Sequence, residues 1–203
     1  MRSFIYLISP SKIKKSFYKD LNDVLSSKKV KFFQLRIKNL PDHKLIEIGL
    51  KIRQITKKNK VKLIINDSSY LAEVINADGC HLGQSDDTIT KARKTLKKNK
   101  IIGVTCHGSK KLILDAIQKR PNYIALGSFF KSKLKPNAKK AKKNLVKWCK
   151  KRTNLPIVAI GGINNKNYKS LIKLGVNYLA ISSFIWNNPR FKPKKAINEF
   201  IIK

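Results

Sequence analysis

Eight short apolar runs punctuate the chain: Phe4–Ser9, Phe32–Ile37, Lys62–Asn66, Gly79–Gly83, Ile101–Cys106, Tyr123–Gly127, Pro156–Gly161 and Tyr178–Ser182. They are rich in Ile, Val, Phe and Tyr, the composition of parallel strands covered on both faces. Between them lie longer lysine-studded stretches with helical periodicity. Pro41–Lys58 carries Leu45, Ile48, Ile52 and Ile55; Lys110–Lys119 carries Leu112, Ile113, Ala116 and Ile117; Asn164–Leu174 carries Tyr168, Leu171, Ile172 and Leu174. Each spacer is long enough for a crossover helix. Asp42 and Asn164 are expected N-caps, and Gly175 an expected helix-ending glycine. Eight such β-α units fit a (β/α)8 barrel or an open doubly wound sheet, and the count of eight favours the barrel. No linker divides the chain, so residues 1–203 read as a single TIM-barrel domain.

Composition adjusts this picture in two places. The 203 residues carry 46 Lys+Arg against 11 Asp+Glu, a net charge of +35, yet 42% of them are hydrophobic. Charge of that size predicts disorder only where apolar content is low, so a folded domain stands. The basic excess also raises the question of nucleic acid. It consists of 39 Lys and seven Arg, whereas base readout and bidentate phosphate contacts favour arginine. No recognition-helix, zinc-finger or RRM pattern accompanies it. The charge therefore reads as solvated surface, densest in the lysine-rich stretch Lys131–Arg152. No apolar run approaches the ~18 residues that cross a bilayer, and the Phe4–Ile8 stretch is too short for a secretory leader. Three cysteines, Cys80, Cys106 and Cys149, lack metal-type spacing. They predict reduced thiols and a cytoplasmic protein with no membrane partner.

In a barrel the chemistry belongs at the C-terminal strand ends. The second strand ends Gln34-Leu35-Arg36-Ile37-Lys38. Alternation puts Gln34, Arg36 and Lys38 on one face, the inward one, where buried cations call for anions. The third ends Asn66-Asp67 and the fourth runs into Gly83-Gln84-Ser85-Asp86. Two carboxylates at adjacent strand ends suit Mg²⁺, which completes its shell with water and substrate phosphate. Asp67 and Asp86 could equally cap the following helices, and Asp87 could replace Asp86. The seventh strand ends Gly161-Gly162, the eighth Ser182-Ser183 before a short segment Phe184–Trp186. Loops at these two ends form the recurrent phosphate site of such barrels. One pole with basic groups and a metal, and another with a neutral phosphate cradle, suits two phosphorylated small-molecule substrates.

These segments, together with Ala77-Asp78-Gly79-Cys80-His81-Leu82-Gly83-Gln84-Ser85-Asp86 and Ile102-Gly103-Val104-Thr105-Cys106-His107, resemble the thiamine-phosphate synthase (thiamine phosphate pyrophosphorylase) family, TIM barrels that include the thiazole tautomerases. The resemblance runs from the first strand to the last. It implies that 4-amino-5-hydroxymethyl-2-methylpyrimidine diphosphate is joined to a thiazole phosphate, giving thiamine phosphate and pyrophosphate, with bond ionisation ahead of attack. It implies that Gln34, Leu35, Arg36, Ile37, Lys38 and Asn66 bind the pyrimidine diphosphate, and that Asp67 and Asp86 hold Mg²⁺. Thr105 stands where the family usually has serine and keeps its hydroxyl; the resemblance implies that Lys135 contacts the diphosphate and that these two carry the catalytic roles. The resemblance further implies that Gly162, Ser182 and Ser183 bind the thiazole phosphate and that Ser132 contacts the thiazole substrate. The chain departs from the family in its lid loop, where Ser132-Lys133-Leu134-Lys135 replaces Thr-x-Thr-Lys and Leu134 removes a hydroxyl.

Two other readings remain open at this stage. A tautomerase-like enzyme of the same family would need no diphosphate site, and the retention of Arg36, Lys38, both aspartates and Lys135 argues against it. A basic nucleic-acid-binding barrel would rest on charge alone. His107, just past the fifth strand, is either a general acid/base or a hydrogen-bonded pocket residue. A homo-oligomer is compatible with the sequence.

Overall fold

The computed structural model describes residues 3–96, 99–131 and 139–202. Eight parallel strands close on themselves in sequence order: β1 (Phe4–Ile8), β2 (Val30–Leu35), β3 (Lys62–Asn66), β4 (Gly79–Leu82), β5 (Ile101–His107), β6 (Tyr123–Gly127), β7 (Ile157–Ile160) and β8 (Tyr178–Ile181). Pairing of β1 with β8 closes the barrel, which excludes the open sheet. The helices alternate with the strands: α1 (Phe17–Leu25), α2 (Asp42–Lys58), α3 (Ser69–Val74), α4 (Ile89–Thr95), α5 (Lys110–Gln118), α6 (Asn144–Lys150), α7 (Tyr168–Ile172), then α8 (Ser183–Trp186) and α9 (Pro193–Asn198).

Strand alternation divides the apolar residues between two layers. Ile5, Leu7, Leu63, Ile65, Ile102, Ile124 and Leu179 point outward into the main core, against the inner faces of helices such as Leu21 and Val24 of α1 and Ile52 of α2. Leu63 is fully buried, and truncating such a side chain to alanine costs about 2–5 kcal/mol. The alternate positions Tyr6, Ile8, Phe32, Ile64, Tyr123, Ala125, Val158 and Ala180 fill the barrel interior. The Tyr123 ring lies directly on Gly103 of β5, where a Cβ would come within 1.9 Å of the tyrosine Cζ.

The foot of the barrel is fastened by one device used three times. Asp78, Asn122 and Asn177 stand just ahead of β4, β6 and β8. Their side-chain oxygens accept the N–H of Leu63, Ile102 and Ile157 on the preceding strand, at 2.9, 2.8 and 2.9 Å. These bonds satisfy buried donors that strand pairing leaves open.

Two helix starts differ from expectation. Asp42 is the first residue of α2 rather than its cap, because Pro41 takes the cap position. Asn164 does not cap α7; Asn167 precedes the helix, and Asn164 Oδ1 instead accepts the N–H of Lys166 in a local turn. Gly175 adopts φ +82° past the end of α7, as a helix-ending glycine should.

Candidate active site

A cavity of about 550 Å³ opens at the C-terminal mouth. Its lining brings together Gln34, Arg36, Lys38, Asn66, Asp67, Asp86, Thr105, Gly162, Ser182 and Ser183, all expected from sequence. The side chains of Leu35 and Ile37 lie elsewhere. Leu35 is buried in the outward core and Ile37 packs on that core, because they alternate with the three inward polar residues. Ser132 and Lys135, with Lys133 and Leu134, fall outside the described residues.

The pairing of acids can now be read. Helix α3 is capped by Ser68, whose side chain accepts the N–H of Leu71, and α4 by Thr88, which accepts that of Lys91. Neither Asp67 nor Asp86 is therefore a helix cap. Asp67, at φ +67° past β3, lies beside Asp86, near enough for a protonated Asp67 to bond to that carboxylate. Burial, then the bond and charge of Asp86, push the Asp67 carboxyl up to about 6, against the pull of Lys38 and Arg36. Asp86 also accepts the Gly83 N–H at 2.6 Å. Asp87 is committed elsewhere. Its carboxylate accepts the Ser69 hydroxyl at 2.5 Å and pairs with Lys91 at 2.7 Å, which holds it below the usual carboxylate range. Among the described residues no group of three or more His, Cys, Asp or Glu gathers in a metal-binding arrangement.

The opposite wall is built differently. Gly161 and Gly162 follow β7 with φ +105° and +62°. A Cβ on Gly162 would lie 2.3 Å from the Lys131 carbonyl oxygen, so only glycine lets that backbone line the cavity. After β8, Ser182 donates its hydroxyl to the Ser9 carbonyl at 3.0 Å, and the short α8 starts at Ser183. Ser9 in turn ties this wall to β2: its Oγ accepts the Arg36 N–H at 2.9 Å.

The floor holds a group that sequence reasoning missed. Gln34 Nε2 donates to Tyr6 Oη at 3.0 Å; Tyr6 Oη meets Tyr123 Oη at 2.8 Å; Tyr123 Oη meets His81 Nδ1 at 2.9 Å; His81 Nε2 meets Thr105 Oγ1 at 2.8 Å. The His81 and Tyr123 rings stack at 5.6 Å. Burial pushes His81 down to about 4, so it is neutral at ordinary pH. The available signal was parity: Tyr6, Gln34 and His81 all occupy inward strand positions, and a buried hydroxyl or imidazole needs a partner. His107 lines the mouth from an exposed position at φ +49°. Cys106 does not reach the mouth; its thiol donates to the Leu112 carbonyl at 3.6 Å in the outer core.

Comparison with known proteins agrees with this geometry. Residues 5–185 match the family profile described as thiamine monophosphate synthase. A thiamine-phosphate synthase of Pelagibacter ubique (strain HTCC1062) is 52% identical over 199 residues, spanning 98% of this chain and 96% of that protein. One from Erythrobacter litoralis (strain HTCC2594) is 35% identical over 97% of this chain and 94% of its own length. Among solved structures, a thiamine phosphate pyrophosphorylase from Pyrococcus furiosus superposes with a TM-score of 0.85 at 28% identity, covering 97% of this chain and 92% of that one.

Proposed function

The chain belongs to the thiamine monophosphate synthase family, whose reaction forms thiamine phosphate, and from that premise we propose how its own residues carry out a Mg²⁺-dependent transfer. The pyrimidine diphosphate lies against the β2–β4 wall, and the thiazole phosphate against the β7–β8 wall. The observation that carries this reading is the meeting of Arg36, Lys38, Asp67 and Asp86 with Gly162, Ser182 and Ser183 on one cavity. Anionic diphosphate needs the cations, and a phosphate monoester needs donors in a close-fitting neutral cradle.

The acid pair fits a divalent cation. Two adjacent carboxyls, with Asp67 pushed up by burial and then by its neighbour, are what a cation would relieve by taking the place of a proton. Asp67 and Asp86 would hold Mg²⁺, which when bound supplies positive charge to the diphosphate oxygens. Arg36 and Lys38 orient that diphosphate and add charge as the carbon–oxygen bond ionises. By the family resemblance, Lys135 is assigned to the same leaving group, and Ser132 to the thiazole side. Gln34 and Asn66 fix the pyrimidine ring, and Gly162 with the two serines holds the thiazole phosphate so that its ring nitrogen faces the electrophilic carbon. The described residues contain no helix long and apolar enough to cross a membrane. The three free, buried thiols support a reducing, cytoplasmic setting.

The test supplies both substrates to the purified chain with and without Mg²⁺. Pyrophosphate and thiamine phosphate should form in equal amounts, and removal of Mg²⁺ by chelation should stop both. Isomerisation of the thiazole without coupling, or equal rates in chelator, would overturn the reading.

A further inference from the structure

The chain of hydrogen bonds under the mouth has only one proton to pass at each hydroxyl, so its direction at one end determines the other. Gln34 donates its amide hydrogen to Tyr6 Oη. Tyr6 is fully enclosed, and its own proton needs an acceptor; Tyr123 Oη at 2.8 Å is the partner in line. Tyr123, also enclosed, must then send its proton to His81 Nδ1. A neutral imidazole that accepts at Nδ1 carries its hydrogen on Nε2, and that hydrogen goes to Thr105 Oγ1. The Thr105 hydroxyl hydrogen finds no acceptor among the described residues. Thr105 is half-buried and lines the cavity, so this hydrogen is left for whatever occupies the mouth.

We propose that the Gln34–Tyr6–Tyr123–His81 chain fixes Thr105 as a hydrogen-bond donor to the diphosphate substrate, with Tyr123 and His81 as positioning residues. In the reverse direction Thr105 would give its hydrogen to His81 and present only lone pairs to an anion. Ionised diphosphate oxygens accept and do not donate, so the direction inferred from Gln34 is the one an anionic leaving group requires. Thr105 is accordingly neither base nor nucleophile, and His81, whose two ring nitrogens are both occupied, is no proton shuttle. Burial supports the neutrality that the chain needs: it raises both tyrosines well above their ordinary value and lowers His81 to about 4.

The kinetic part of this inference rests on the reading of the mouth given above; the direction of the chain does not. Nitrogen-15 NMR of the full chain with labelled histidine tests the direction without substrate. His81 should appear neutral with its hydrogen on Nε2, and Tyr123→Phe, which removes the donor to Nδ1, should turn it into a mixture of tautomers. A hydrogen on Nδ1 in the natural chain, or a tautomer indifferent to Tyr123→Phe, would overturn the proposal. In turnover assays, Tyr123→Phe and Thr105→Val should each lower kcat about tenfold, with the KM for the pyrimidine diphosphate changed less than about threefold. Thr105→Ser should stay within about twofold of the natural rate. The double variant should be no slower than Thr105→Val alone, because the tyrosine acts through the threonine. Losses that multiply would overturn it. Should the chain form no thiamine phosphate at all, the mouth assignment fails while the spectrum still decides the direction.

Discussion

On the β2–β4 side of the mouth the polar atoms belong to long or charged side chains: Arg36, Lys38, Asn66, Asp67 and Asp86. On the β7–β8 side they belong to two glycines, two serines and Asn187, none of them charged. In the proposed reading, the contrast follows from the two anions. A diphosphate that must leave accumulates charge, and mobile or metal-bound charge stabilises it. A phosphate that stays put needs only a fixed shape with N–H groups and hydroxyls. The first wall should therefore fail when a side chain is removed, the second when one is added.

The largest effect is expected at the acids. Asp67→Ala or Asp86→Ala should lower kcat/KM by on the order of 10²–10³-fold and abolish the response to added Mg²⁺. Full activity in Asp67→Ala would remove the metal from that wall. Next comes the floor between the walls, which must stay uncharged. His81 ionises near 4 when folded against about 6.5 unfolded. The unfolded chain thus takes up the proton first, so this contribution to stability is complete above about pH 6.5 and is lost as pH falls toward 4. The loss is about 3 kcal/mol at most, read as the unfolding free energy of the natural chain against His81→Gln across that range. A constant difference would mean that His81 is not buried neutral.

Smaller effects sharpen the second wall. Gly162→Ala must place a Cβ 2.3 Å from the Lys131 carbonyl at φ +62°. The strain is of order 1–3 kcal/mol, and steady-state kinetics should show about a tenfold rise in KM for the thiazole phosphate with the diphosphate KM unchanged. An equal rise in both would dissolve the distinction between the walls. Least of all, Lys119→Gln breaks an exposed pair with Asp115; it should shift stability by under about 0.5 kcal/mol and leave turnover untouched.

Much of the barrel is legible in the sequence because each strand is bounded by its own pattern. Lys62–Asn66 and Tyr123–Gly127 fall where the apolar runs lie. The second strand starts earlier than its run, at Val30, because exposed Lys31 breaks the apolar run where the register on β1 shifts, while Val30 still pairs with Ile5. Within the site, Gln34, Arg36 and Lys38 were legible from alternation, and the acids from their strand ends. Leu35 and Ile37 belong to the same motif, but their parity turns them toward the helices. The choice of Asp86 over Asp87 was not legible, since it depends on Ser69 and Lys91 drawing Asp87 aside. Nor was the floor. Tyr6 and Tyr123 are 117 positions apart, and only closure of β1 through β8 brings their hydroxyls across one interior.

That closure gives Gly103 a weight out of proportion to its chemistry. It bears no functional group, yet any side chain there would occupy the space of the Tyr123 ring. A deep mutational scan scored by growth without supplied vitamin should mark Gly103 as intolerant as Asp67. The two losses should nevertheless be told apart by abundance, the aspartate variants accumulating as inert protein and the glycine variants disappearing with the fold.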